Sequence, residues 1–199
     1  KKSKNKVHYI YIQHSLNSLH SAYNNNAFNA YDTIFCSTEN HFNECEKLFN
    51  KSKKKPILFK HGYDRILTLP PKDKNINSKN KIILISPSWG PSSLLMNKEK
   101  LSSLIEMLIA NNFEVILRPH HMTFRTDKNY INNLQKKFSK FNNFLLEKGN
   151  FNAESLAKAD VLITDYSGVA FEYYFKYGGL VIFIDTGKLK INNIYFSKI

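Results

Sequence analysis

The chain has 199 residues, enough for one large domain or two small ones, and 42% of them are hydrophobic, so a packed core can form. The net charge is +13, yet only Arg65, Arg118 and Arg125 are arginines, and lysine scattered among asparagine argues against a nucleic-acid partner. That charge fits an anionic membrane surface or a polyanionic substrate better. No apolar run approaches the roughly 20 residues needed to span a bilayer. Cys36 and Cys45 share no metal-ligand spacing, which points to reduced thiols and a cytosolic setting. The first residue is Lys and no signal-peptide pattern follows it, so the chain is expected to be a piece of a longer protein.

Val7 to Ile12 reads as a strand, followed by a polar stretch from Gln13 to Asn29. Thr33 to Cys36 is a second strand. Ser37-Thr38-Glu39 then gives a hydroxyl cap and an acidic first turn, and Phe42, Cys45, Leu48 and Phe49 recur at helical spacing. Ile57 to Phe59 is a third strand, closed by His61-Gly62-Tyr63. The proline- and lysine-rich stretch from Leu69 to Lys81 lacks periodicity and reads as a linker. Beyond it, Ile82 to Ile85 is a strand, and Leu101, Leu104, Ile105, Leu108 and Ile109 mark one face of a helix. Val115 to Leu117, Phe144 to Leu146, Val161 to Ile163 and Val181 to Ile184 read as further strands. Helices are expected over Tyr130 to Phe141, Ala153 to Lys158 and Val169 to Tyr177. Apolar strands separated by helices imply a parallel sheet covered on both faces, with ligands beyond the carboxyl ends of its strands.

The chemistry gathers at those ends. In A-D-V-L-I-T-D-Y-S-G-V-A-F-E-Y, Ala159 to Tyr173, a buried strand stops at Thr164-Asp165, and Ser167-Gly168 open a helix. The first amides of a helix have no partner inside it, and a small hydroxyl and a glycine let a phosphate approach them. In Arg118-Pro119-His120, proline keeps the backbone extended; Arg118 can fork onto a diphosphate and His120 can donate to it or protonate a leaving oxygen. The plainer readings are a surface arginine, a capping histidine and ordinary caps at Asp165 and Ser167. Glu172 could accept from ribose hydroxyls or be a solvated helix residue. Ser86 and Ser88, in S-P-S-W-G, could contact phosphate, while Trp89 could stack on a base or fill core. His14, after the first strand, could be a general base, with His8 and His20 as competitors. No acidic cluster has metal-ligand spacing, because Asp160 and Asp165 flank one strand, so catalysis without a metal or cofactor is expected.

Taken together, I-S-P-S-W-G, R-P-H and the Ala159–Tyr173 segment resemble the CDP-glycerol glycerophosphotransferase family, the teichoic-acid-type polymerases and their relatives in capsule and surface-glycan synthesis. Gln13-His14-Ser15 and His61-Gly62-Tyr63 resemble further family motifs in the right order, so the resemblance runs from about Val7 to Asp185. The family often has His-Gly where this chain has His14-Ser15, two serines where it has Ser167-Gly168, and Asp where it has Glu172. The Ile184 to Asn193 ending is also not the commonest form.

The resemblance implies a GT-B fold with two Rossmann-like domains and the nucleotide in the cleft between them. Residues 1–68 would be the end of the first, acceptor domain and 69–80 the linker. Residues 81–199 would be most of the second, nucleotide-binding domain, truncated at its end. It also implies that a hydroxyl of a teichoic-acid-like or surface-glycan acceptor, possibly lipid-linked, attacks the phosphorus next to the polyol of a CDP-linked donor and releases CMP. His14 falls at the proposed base, and Arg118 and His120 at positions that meet the diphosphate. Thr164, Asp165, Ser167 and Gly168 fall at the nucleotide-phosphate loop. The expected location is cytoplasmic, peripheral on the inner face of a bacterial plasma membrane. The alternatives are another GT-B enzyme, a nucleotide-sugar transferase or epimerase, and a non-catalytic basic module that binds polyanions.

Overall fold

The computed structural model describes residues 3–23, 26–73, 79–148 and 153–187. The chain divides into two compact units, one running to Asp64 and the other beginning at Arg65. The later part of the Ile184–Asn193 ending and the middle of the expected linker lie outside the described residues.

In the first unit β1 (Ile10–Ile12), β2 (Thr33–Cys36) and β3 (Ile57–Lys60) form a parallel sheet in that order. Side chains alternate across a strand. One face, with Tyr11, Ile34, Cys36 and Leu58, packs on Leu19, Phe28, Cys45 and Phe49. Leu19 belongs to α1 (Leu19–Ala22), and Cys45 and Phe49 to α2 (Glu39–Phe49), whose N-cap is the expected Thr38, its side chain accepting from the His41 amide. The opposite face exposes Ile10, Ile12, Ile57 and Phe59. The first strand is shorter than its apolar pattern because Tyr9 pairs with a turn instead. Its amide donates to the Asp32 carboxylate at 2.9 Å, and its carbonyl accepts from the amides of Asp32 and Thr33.

The second unit opens with α3 (Arg65–Thr68) and holds five parallel strands. These are β4 (Ile82–Ile85), β5 (Glu114–Leu117), β6 (Phe144–Leu146), β7 (Val161–Thr164) and β8 (Leu180–Phe183), in the order β6-β5-β4-β7-β8. All four residues of β4 are buried, as a central strand covered on both faces requires. Ile83, Ile85, Val115, Leu117 and Ile163 point to the layer of α4 (Lys98–Ala110) and α6 (Lys128–Phe138). Ile82, Leu84, Ile116 and Leu162 point to Leu156 of α7 (Glu154–Lys158) and Tyr173 of α8 (Val169–Tyr177). A four-residue helix, α5 (Thr123–Thr126), precedes α6. α6 ends at Phe138, where the chain turns and the Phe141 amide donates to the Phe138 carbonyl, short of the expected Phe141.

The stretch expected as a linker begins as part of this unit. Leu69 is in its core, Tyr177 Oη donates to the Pro70 carbonyl at 2.8 Å, and the Asp73 amide to that of Ala157 at 3.2 Å. The strand order also places the site. The chain leaves β4 for β5 and β6 on one side, then crosses back to β7 on the other. Such a switch point opens a crevice beyond the carboxyl ends of the two diverging strands, here β4 and β7.

Candidate functional site

The loops at that switch point are tied to each other by side chains. Thr164 Oγ1 donates to the Ser86 carbonyl at 2.6 Å. The Asp165 carboxylate accepts from the Ser88 amide at 2.8 Å and from the Leu94 amide at 2.7 Å, so it clasps both ends of the loop after β4. Ser93 Oγ closes the same loop by donating to the Ser88 carbonyl at 2.7 Å. Thr164 and Asp165 are 0% and 1% exposed. Their side chains are therefore occupied within the fold. Ser86 is also buried, whereas Ser88 is half-buried at the crevice. Tyr166 Oη donates to Asp185 at 2.5 Å and Thr186 Oγ1 to the Ser92 carbonyl at 2.8 Å, which draws the loop after β8 into the same group.

Ser167 and Gly168 lead into α8 half-buried, with Gly168 at the N-cap position. Its first amides are taken up in the opening turn itself: that of Val169 lies 3.5 Å from Ser167 Oγ, and those of Ala170 and Phe171 donate to the Ser167 and Gly168 carbonyls at 3.2 and 3.1 Å.

Arg118 leaves β5 beside β4, its amide bonded to the Ile85 carbonyl at 2.8 Å. Its Nε lies 3.5 Å from Glu147 Oε1, while Nη1 is buried with no hydrogen-bond partner among the described residues. Burial foremost, and the neighbouring charge of Arg65, lower its pKa; Glu147 and Glu172 oppose them. A guanidinium stays charged under such shifts, so this is a half-buried, half-satisfied cation that an anion would complete. Glu172 is 8% exposed and accepts from Arg65 Nε at 2.9 Å. It is not a solvated helix residue: it holds Arg65, which is not among the residues the sequence singles out. That Arg65 is one of only three arginines was the available signal.

His120 stacks on Trp89 with ring centroids 5.9 Å apart and 20° between planes, and its ring lies tilted by 34° against that of His121 at 4.2 Å. Trp89 is exposed, so it does not fill core. The Met122 amide lies 3.2 Å from His120 Nδ1, which must accept. Burial foremost, and His121, hold the His120 pKa down at about 4. At neutral pH the ring is uncharged, and with Nδ1 accepting, its proton sits on Nε2 as a donor. In the second unit Ser88, Arg118 with His120, and the Ser167-Gly168 turn thus follow the carboxyl ends of the neighbouring strands β4, β5 and β7. His14 belongs to the first unit, exposed at the end of β1, with Nδ1 2.8 Å from Tyr11 Oη. Among the described residues no group of three His, Cys, Asp or Glu is placed to hold a metal ion.

The profile of the CDP-glycerol:poly(glycerophosphate) glycerophosphotransferase family matches residues 20–177, most of the chain. The chain belongs to this family. A comparison with curated proteins finds no match. Among solved structures, the wall teichoic acid polymerase TagF in a variant soaked with CDPG is similar with a TM-score of 0.56 at 20% identity, covering 88% of this chain and 49% of the polymerase. A second TagF structure gives 0.54 at 21%, covering 90% and 50%. A putative UDP-N-acetylglucosamine 2-epimerase from Listeria monocytogenes gives 0.52 at 16%, covering 76% and 41%. These likenesses bear out the expected fold class, the Rossmann-like parallel sheets of a GT-B fold. The chain spans about half the length of the polymerase structures it matches.

Proposed function

We propose that the protein to which this chain belongs moves a glycerol-phosphate, or a similar polyol-phosphate, from a CDP-linked donor to a hydroxyl of a teichoic-acid-like or surface-glycan acceptor, with release of CMP. In this reading the first unit is the end of the acceptor domain and the second is the nucleotide-binding domain. The observation that carries it is the half-satisfied Arg118 beside neutral His120. Together they offer one fixed charge and a neutral donor to a diphosphate. Phosphoryl transfer depends mainly on such positioning and on stabilising charge. His120 gives its Nε2 proton to an oxygen of the donor as a hydrogen bond. Its low pKa suits that role better than carrying a charge at neutral pH. His14 takes the proton of the attacking hydroxyl.

No helix among the described residues is long and apolar enough to cross a membrane. We place the acceptor on a lipid-linked chain at the cytoplasmic face, where a net charge of +13 favours peripheral contact with anionic lipid.

The test is a thermal-shift screen of the full-length protein with CMP, CDP, UDP and CDP-glycerol, followed by nucleotide analysis after turnover. CDP-glycerol and CMP should raise the melting temperature, CMP should be the released nucleotide, and Arg118→Ala should remove the donor-induced shift. Stabilisation by UDP ligands alone would overturn the cytidine assignment in favour of a nucleotide-sugar enzyme.

A further inference from the structure

We propose that Tyr11 is the positioning residue for His14: its hydroxyl accepts from the imidazole Nδ1 and leaves Nε2 as the free, basic nitrogen. The inference rests on the reading of His14 as the base and adds the group that makes it one.

The geometry is local to the first unit. Tyr11 sits in the middle of β1 and faces the core, packed against Phe28 and Tyr31 at ring-centroid distances of 5.2 and 5.1 Å. Its hydroxyl lies 2.8 Å from Tyr23 Oη and 2.8 Å from His14 Nδ1. The His14 ring meets those of Tyr11 and Tyr23 edge-on, each at 6.0 Å. Tyr63 Oη fixes the backbone of the same residue by donating to the His14 carbonyl at 3.1 Å. The imidazole is thus held by ring contacts and a hydroxyl, while the residue itself is exposed.

The Tyr11 hydroxyl has one proton and two neighbours. If it donates to Nδ1, the ring proton sits on Nε2, and His14 cannot act as a base there. If it donates to Tyr23, it accepts from Nδ1–H, and Nε2 carries the lone pair. Only the second arrangement survives the reaction. As the acceptor oxygen forms its bond to phosphorus, the bond from that phosphorus to the bridging oxygen of the donor breaks. CMP departs with the electron pair, and the hydroxyl proton moves to Nε2. The resulting imidazolium has N–H groups on both sides, so Nδ1 must still face an acceptor. Burial foremost, and Tyr23, raise the Tyr11 pKa far above that of an ordinary phenol, so the hydroxyl stays neutral and can serve as that acceptor.

The test uses the full-length protein. A nitrogen-15 spectrum of the histidine side chains, with the His14 signals identified by their loss in His14→Ala, should show Nδ1 protonated and Nε2 not. An Nε2–H tautomer in the wild type would overturn the proposal whatever the variants do. In Tyr11→Phe, which keeps the ring and its packing, His14 should revert towards the Nε2–H form that predominates in an unconstrained histidine side chain. Its kcat with CDP-glycerol should fall roughly tenfold or more, with KM for the donor within about twofold. A Tyr11→Phe protein with unchanged tautomer and unchanged kcat would also overturn it. The underlying reading fails separately, if His14→Ala still turns over at the wild-type rate.

Discussion

The Asp165 carboxylate illustrates how a residue in the right motif can have a different task. It lies at the end of β7 and 77 positions from Ser88 in sequence, yet both its oxygens are taken by amides of the loop after β4. In the fold it holds the two ends of that loop together. Asp165→Asn keeps one acceptor oxygen but turns an NH2 group towards a buried amide, leaving donor against donor. The expected loss of stability is about 1–3 kcal/mol in denaturant unfolding. The same variant should weaken CDP-glycerol binding only as far as the loop loosens; full stability with lost affinity would make Asp165 a direct ligand. The local pattern revealed that Asp165 stands at a strand end. It could not reveal where the side chain turns, because that depends on a loop contributed by a distant strand. Arg118 and His120 were legible because arginine and histidine at a strand end have few uses besides polar contact. Tyr11 was not, since an aromatic in a strand normally reads as core, and here it is both core and hydrogen-bond partner.

Among elements, the agreement is closest where periodicity is long and the end is marked. α8 spans Val169–Tyr177 as expected, and it closes at Gly178, whose φ of 61° is the left-handed cap that glycine adopts without strain. α1, α3 and α5, with four residues each, are too short for a repeat of 3.6 to declare itself. Gly179 shows what the end of α8 demands. A Cβ at that position would overlap the ring of Tyr173, which is fully buried and whose hydroxyl donates to the Ala159 carbonyl at 2.8 Å. Tyr173 cannot swing aside without breaking that bond and opening the layer between α8 and the sheet. Gly179→Ala should therefore destabilise the second unit by about 1–3 kcal/mol, measured by denaturant unfolding. Gly179→Ala combined with Tyr173→Leu should recover part of the packing cost, because the obstructing ring is gone. A Gly179→Ala protein as stable as the parent would show that the ring yields freely.

For the molecule as a whole, strand–helix alternation in the sequence pointed to parallel sheets but not to the side of β4 on which each later strand is added. The order β6-β5-β4-β7-β8 arises from one long crossover, and the switch point exists only once that crossover is made. Net charge, by contrast, is additive and can be read without a fold. The +13 of this chain comes almost wholly from lysine, a compact and strongly hydrated cation that attracts anionic surfaces without the forked geometry of arginine. Such attraction acts over a distance of about 10 Å at 0.1 M salt and fades as salt rises. The proposed contact with anionic lipid therefore predicts that the full-length protein co-sediments with phosphatidylglycerol vesicles at low ionic strength. It should be released as salt approaches 0.5 M, roughly a halving of that screening length, and should leave vesicles of phosphatidylcholine alone. Binding to both lipids with no salt dependence would mean that apolar insertion, not lysine charge, holds the protein at the surface. Absence of binding to either would leave the charge to serve a polyanionic acceptor in solution, and would remove the membrane from the proposed function.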